Sequence, residues 1–306
     1  MNRDNYNIDL YAGIDTLEVT TPTYLTECYE FITHDNTRRV TQDETAIPKY
    51  KYRFNPDKTF QDTSTFTGYY LALESMIQTT AVMSPVKTRI DYRFDCYNSS
   101  YGDVFKLNKL LVLLIAERYK IKNRYQCIDM LTGELKTLCI KNKYIEAEAY
   151  NKELEEPESF IKWRLELRSK ALYDDSDEPT KELRELDKWF VRLADSTTTS
   201  NFNSLIHGLN DNLMQRYAEH TAKGDIATVS EFVVKYADFI FCTRQLVDLF
   251  ARMGYKRPEK QVSAFKQKHK IEFFSLKDVR TYVLTVRDSA ARFDDIRAQK
   301  NYPNVG

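Results

Sequence analysis

Residues 89–95 read Arg89-Ile90-Asp91-Tyr92-Arg93-Phe94-Asp95, a strict alternation of charge and apolar bulk. A strand has a side-chain period of two, so this stretch places Arg89, Asp91, Arg93 and Asp95 on one face. Ile90, Tyr92 and Phe94 fall on the other. Residues 162–168, Lys-Trp-Arg-Leu-Glu-Leu-Arg, have the same design: Arg164, Glu166 and Arg168 oppose Trp163, Leu165 and Leu167. In the stretch from Tyr144 to Lys152, the residues Tyr144, Glu146, Glu148 and Tyr150 share a face. Acids and guanidiniums on a sheet face are costly to bury unless they pair or hold something. Two readings are therefore open. The faces form one wall in which carboxylates hold Mg²⁺ or Mn²⁺ and arginines meet phosphate. Alternatively, they are a solvated surface of cross-strand salt bridges.

More alternating runs surround these, at Ile14–Val19 and Tyr50–Phe54, and 125–130 and 135–140 flank a Thr132-Gly133 turn signal. Helical periods occupy 68–79 and 104–119, the latter with apolar residues at 104, 107, 110, 111, 114 and 115. Residues 174–187 carry seven acids against two bases, which marks a boundary. Beyond it the pattern is helical: 182–193, 202–217, 229–253 with Ser230 as N-cap, and 276–298. The expected fold is α+β: a central antiparallel sheet with flanking helices over 1–173, then an all-helical domain over 174–306.

Composition narrows the function. The 306 residues carry 45 Lys+Arg and 45 Asp+Glu, so a globally basic nucleic-acid coat is excluded and any basic surface is local. Eight glycines, against roughly 20 at average usage, argue against glycine-rich phosphate loops. No G-x-x-x-x-G-K-[ST] occurs. The longest apolar run, Leu110–Ala116, is too short to span a bilayer. The polar start and lack of an apolar signal core predict a cytoplasmic protein. Five cysteines without a C-x-x-C pair read as free thiols. His34, His207, His220 and His269 make no pair at ligand spacing.

Four motifs in order resemble those of the trans-acting rolling-circle replication initiators of small Gram-positive plasmids. Thr88–Asp95 is similar to their T-R-[LI]-D-x-x-F-D strand, and Tyr52–Lys58 to their E-F-N-P-N-K turn. Ala149-Tyr150-Asn151-Lys152-Glu153 resembles the segment that carries the nucleophile, and Trp163–Leu167 their W-R-[VL]-E-[IL] strand. The covered stretch is about residues 50–170; the glycine-containing stretch before the tyrosine is replaced by Leu138–Lys143. The resemblance implies Tyr150 as nicking nucleophile, with Arg89 and Arg164 facing phosphate. It implies Asp91, Asp95 and Glu166 as ligands of Mg²⁺ or Mn²⁺. Glu148 faces the same way, as ligand or base. The implied chemistry leaves a 5′-phosphotyrosyl link and a free 3′-hydroxyl on single-stranded or extruded origin DNA. A host helicase and a homodimer mate are the further partners it raises. A conjugative relaxase shares this chemistry, and a non-enzymatic DNA-binding regulator is the rival from another class.

The C-terminal half offers a DNA grip. Residues 256–270 hold six bases, Lys256, Arg257, Lys260, Lys266, Lys268 and Lys270, and one acid. Val262 and Phe265 would face inward on a short helix, and Lys152 adds a base beside the tyrosine. The same segment also reads as a solvated helix that balances the acidic linker. A helix-turn-helix is considered over 261–280, and Tyr144, Phe60 and Phe66 as base-stacking or core residues.

Overall fold

The computed structural model describes residues 10–21, 38–39, 50–54, 86–97, 102–128, 135–155, 157, 161–169, 179–196, 200–271 and 273–291. The expected helix at 68–79, the turns at 56–58 and 132–133, His34, Phe60, Phe66, the start of the acidic linker and residues 292–298 lie outside them.

The strands are β1 (Leu10–Thr21), β2 (Arg38–Arg39), β3 (Tyr50–Phe54), β4 (Val86–Cys96), β5 (Arg124–Ile128), β6 (Leu135–Lys141), β7 (Ile145–Asn151) and β8 (Trp163–Ser169). They form one antiparallel sheet in the order β2-β3-β1-β4-β8-β7-β6-β5. The helices are α1 (Gly102–Arg118), α2 (Lys152–Glu155), α3 (Pro179–Ser196), α4 (Ser200–Lys223), α5 (Val229–Lys235), α6 (Thr243–Arg252), α7 (Pro258–His269) and α8 (Leu276–Ala291). The class is α+β, as expected.

The period of two sorts each central strand into a hydrocarbon face and a charged face. Ile90, Tyr92 and Phe94 of β4, Leu165 and Leu167 of β8, Ala147 and Ala149 of β7, and Ile14 of β1 are all buried in one core. Helix α1 lies on β6, β7 and β8 and is apolar nearly all round, which suits a helix enclosed on every side. The two alanines of β7 leave room for that helix to approach closely. Trp163 stacks on Phe105 of α1 with ring centroids 4.4 Å apart. Helices α3 and α8, both from the chain beyond residue 174, join this core through Trp189, Phe190, Val283 and Val286. The Tyr282 hydroxyl donates to buried Asn108 Oδ1 of α1.

A second core gathers Leu213 of α4 with Phe232 and Val233 of α5, Leu246, Leu249 and Phe250 of α6, and Val262 and Phe265 of α7. The single helix expected over 229–253 is broken here. α5 stops at Lys235, a 3-10 turn covers Ala237–Phe239, and α6 starts at Thr243. The break has a physical cause in buried Gln245. Its Oε1 accepts from the Phe241 amide at 2.8 Å and its Nε2 donates to the Phe239 carbonyl at 2.9 Å. Cys242 then bridges Phe274, which holds the segment extended. The N-cap is Thr228 rather than Ser230: its side chain accepts from the Glu231 amide. The stretch 261–280, considered for a helix-turn-helix, holds most of α7 and the start of α8.

Candidate active site

β4, β8 and β7 are neighbours, so their charged faces meet in rungs across the sheet. One rung reads Asp91–Arg168–Glu146 from β4 to β7. The next reads Arg93–Glu166–Glu148, and the third Asp95–Arg164–Tyr150. β1 extends them with Thr16 beside Asp91, Gly13 beside Arg93 and Tyr11 beside Asp95, and adds Glu18 opposite Arg89. The face is buried: Asp91 and Asp95 are 0% exposed and Arg164 and Glu166 are 5%.

Every oxygen of Asp91 and Asp95 meets a guanidinium. Arg89 Nε and Nη2 donate to Asp91 Oδ1 and Oδ2 at 2.7 and 2.5 Å, and Arg168 Nε stands 3.1 Å from Oδ2. Arg164 Nε and Nη2 donate to Asp95 Oδ1 and Oδ2 at 2.6 and 3.1 Å, and Arg93 Nη1 to Oδ2 at 2.6 Å. Fork-to-carboxylate pairing of this kind is the strongest neutralisation a protein offers a buried acid. Burial works against the Arg164 charge. Asp95, then Tyr150 and Glu166, outweigh it and hold the guanidinium above its ordinary range.

The Tyr150 hydroxyl donates to Glu166 Oε1 at 2.6 Å. Arg168 Nη2 donates to Glu166 Oε2 at 2.9 Å, and Arg164 Nη1 stands 3.7 Å from Oε1. Burial, followed by the charge of Asp15, pushes the Glu166 carboxyl above its usual range, against Tyr150 and the two arginines. Glu148 is directly opposite Glu166. Like charges face to face on adjacent strands repel, and such a pair is where a cation lowers the energy most. Carboxylate oxygens are the hard donor type that Mg²⁺ and Mn²⁺ take, and those of Glu166 already accept from Tyr150 and Arg168. Among the described residues, no group of three His, Cys, Asp or Glu side chains is placed to hold a metal ion.

Sequence reasoning thus placed Tyr150, Arg89, Arg164, Asp91, Asp95, Glu148 and Glu166 on the face where the structure gathers them. It missed Asp15 and Glu18. A register shift between Ile14 and Thr16 makes Asp15 an extra residue in β1, and Asp15 Oδ1 lies 3.4 Å from Arg164 Nη1. An uninterrupted alternation gives no sign of a bulge; only pairing with β4 does. Lys152, expected on DNA, is buried at the start of α2. Lys256, Arg257, Lys260, Lys268 and Lys270 are exposed and Lys266 is half-buried, all outside the charged face. Tyr144 is exposed, with Lys143 Nζ 4.5 Å from its ring centre. His220 hydrogen-bonds Asp225 and Tyr236, and His269 packs on Phe265. Cys96, Cys139 and Cys242 are free thiols.

No family model and no curated protein matches the chain. Among solved structures it is similar to a rolling circle replication initiator protein from Geobacillus stearothermophilus, at 12% identity and a TM-score of 0.33. That match covers 59% of this chain and 80% of the other. Among the described residues, no helix is long and apolar enough to cross a membrane.

Proposed function

We propose that the chain is a DNA nicking and joining enzyme of the rolling-circle initiator type, with Tyr150 as its nucleophile. The observation that carries this reading is the Tyr150 hydroxyl, hydrogen-bonded at 2.6 Å to Glu166 and opposite Arg164 on the neighbouring strand. A phenol with an ordinary pKa near 10 is a weak nucleophile at neutral pH. Here a carboxylate with raised proton affinity accepts its proton, and a guanidinium faces the developing phenolate. In the reaction the Tyr150 oxygen bonds to phosphorus and the P–O3′ bond breaks. The phenol proton passes to Glu166. The departing 3′ oxygen takes a proton from solvent and becomes a free hydroxyl. Rejoining is the reverse attack, so no nucleotide triphosphate is consumed. At 5% exposure the Tyr150 ring is covered, so the reaction requires this face to open to a DNA strand.

Glu148 and Glu166 are the residues that would hold Mg²⁺ or Mn²⁺. Such a cation would polarise a non-bridging phosphoryl oxygen. Asp91 and Asp95 serve a different end: held by arginines, they fix Arg89 and Arg164 in place. That saturation also favours, for these two rungs, a purely structural ion-pair lattice, the arrangement a non-enzymatic DNA-binding protein would have.

The test uses the purified chain, a pool of labelled single-stranded oligonucleotides, and Mn²⁺. The wild type forms a covalent adduct that survives a denaturing gel, and Tyr150→Phe forms none while keeping its circular dichroism spectrum. An adduct of undiminished yield in the Phe variant refutes the assignment. Chelation by EDTA, and separately Glu148→Gln with Glu166→Gln, abolishes the adduct if the two glutamates hold the cation.

A further inference from the structure

We infer that α6 and α7 form a helix-turn-helix that binds double-stranded DNA, with α7 lying in the major groove. This is a second nucleic-acid site, and it stands whether or not Tyr150 is a nucleophile.

The turn is written by residues at both of its ends. α6 closes on Gly254, whose φ of +88° is a left-handed conformation that favours glycine. The Gly254 amide donates to Ala251 O at 3.0 Å and the Tyr255 amide to Phe250 O at 3.1 Å. The Tyr255 ring then meets Phe250 edge-on at 5.1 Å. Pro258 opens α7, where a fixed φ suits the first helical turn. Across the turn the helices lock through Phe250 and Phe265, 6.1 Å apart, with Val262 beside them in the same core. The pair is also anchored from behind. Asn210 Nδ2 of α4 donates to Gln245 O and Asp248 Oδ2, both at 2.9 Å, and the Thr243 amide donates to Phe274 O at 2.8 Å.

That anchoring leaves one face of α7 outward: Lys260, Gln261, Ser263, Ala264, Gln267 and Lys268 are all exposed. The face carries no apolar side chain larger than alanine, unlike the aromatic-rich centre of a protein interface. Residues 256–270 hold six bases and one acid in a chain whose total charges balance at 45 each. The complementary partner is therefore a polyanion. Single strands are held by aromatic stacking platforms, and this face has no aromatic residue. An RNA duplex has a major groove too narrow for a helix. B-DNA's groove, about 12 Å wide, admits one. Small Ser263 and Ala264 allow the helix axis close to the groove floor. The amides of Gln261 and Gln267 present the donor–acceptor pair that matches an adenine edge. Lys260 and Lys268, with Lys256, Arg257 and Lys270 at the ends, reach the phosphates on either side.

The full chain is titrated into a labelled mixed-sequence 24-bp duplex, the matching single strand and an RNA duplex, by fluorescence anisotropy across a salt series. The combined variant Lys260→Ala and Lys268→Ala is expected to weaken DNA-duplex binding about 10- to 100-fold and reduce the log–log salt slope by about 2. Gln261→Ala with Gln267→Ala keeps mixed-sequence binding and changes the sequences recovered from a randomised duplex pool. Tyr150→Phe binds the duplex like wild type, so a failed nicking assignment leaves this one intact. Unchanged affinity and slope in the double-lysine variant overturn the inference, as does wild-type preference for the single strand or RNA duplex that these variants abolish.

Discussion

Replacing Arg164 by methionine removes the charge at the centre of the third rung while keeping most of the side-chain bulk. The wild-type guanidinium meets Asp95 at 2.6 and 3.1 Å, Asp15 at 3.4 Å and Glu166 at 3.7 Å, and is only 5% exposed. Breaking a buried pair by removing one partner typically costs about 3–5 kcal/mol, because the other charge is left behind in low dielectric. Asp95 keeps Arg93 at 2.6 Å, which places the expected cost near the lower end, about 3 kcal/mol. An unfolding entropy of about 2.1 cal/mol/K per residue gives roughly 0.6 kcal/mol/K for a chain of this length, so the melting temperature falls by about 5 °C. The assay is thermal and urea unfolding of the wild type, Arg164→Met, Asp95→Leu and the double variant. Residues in one network do not behave additively. The double variant is expected to lose at least about 1.5 kcal/mol less than the sum of the singles. A loss below about 1 kcal/mol for Arg164→Met, or additivity within about 0.5 kcal/mol, refutes the buried network as described.

Other consequences are equally direct. A Cβ on Gly13 would stand 2.8 Å from Arg93 Nε, while Arg93 is tied to Asp95; Gly13→Ala should cost about 1–3 kcal/mol in urea unfolding, as overpacking does. Glu146 and Glu166 should give stability slopes of opposite sign. Burial opposes the Glu146 charge, but Lys141 and Arg168 outweigh it and lower its pKa below the ordinary 4.5, so its contribution is present above that value and is lost as pH falls through the folded pKa. The gap between wild type and Glu146→Gln therefore closes in acid. Glu166, raised by burial, binds its proton more tightly when folded, so wild type loses stability relative to Glu166→Gln as pH rises above 4.5. Equal slopes in denaturation curves taken on both sides of the ordinary 4.5, down through the acid limb and up to neutral pH, refute this pair. The Cys139 thiol is pushed up to about 11 by burial and by Glu148 opposite it, then Glu146. Its alkylation by iodoacetamide at pH 8, followed by peptide mass spectrometry, should be slow and should quicken in Glu148→Gln; an unchanged rate removes Glu148 from its surroundings.

The faces of β4, β7 and β8 were legible because the side-chain period of a strand is a local property. Their adjacency was not. Nothing in 89–95 or 162–168 states that these runs pair with Arg93 opposite Glu166, since pairing is chosen by the whole sheet. For the same reason the Glu148–Glu166 opposition emerges only once β7 lies beside β8. The helices of the second half were readable from their apolar period, and Val262 and Phe265 face inward as that period demands. The break near residue 240 was hidden because Ile240, Phe241 and Cys242 continue an apolar run through a segment held straight by Gln245 and Phe274. Gly254, the residue that ends α6, lies just ahead of the basic stretch 256–270 and outside the 261–280 span considered for a turn, so its backbone role went unread.

The bulge at Asp15 shows that β1 accommodates a supernumerary residue at the cost of one locally displaced side chain. β8 has no such freedom. Among the described residues β1 pairs with β4 alone around Asp15, whereas β8 is paired without a register shift to both β4 and β7 and cannot bow outward to absorb a change in length. Deleting one residue ahead of Trp163 would rotate the strand by half a period. Arg164, Glu166 and Arg168 would be driven into the hydrocarbon beneath α1, and two leucines and a tryptophan would land among the ions. Frame-preserving losses or gains of single codons are thus survivable in the first strand and ruinous in the eighth.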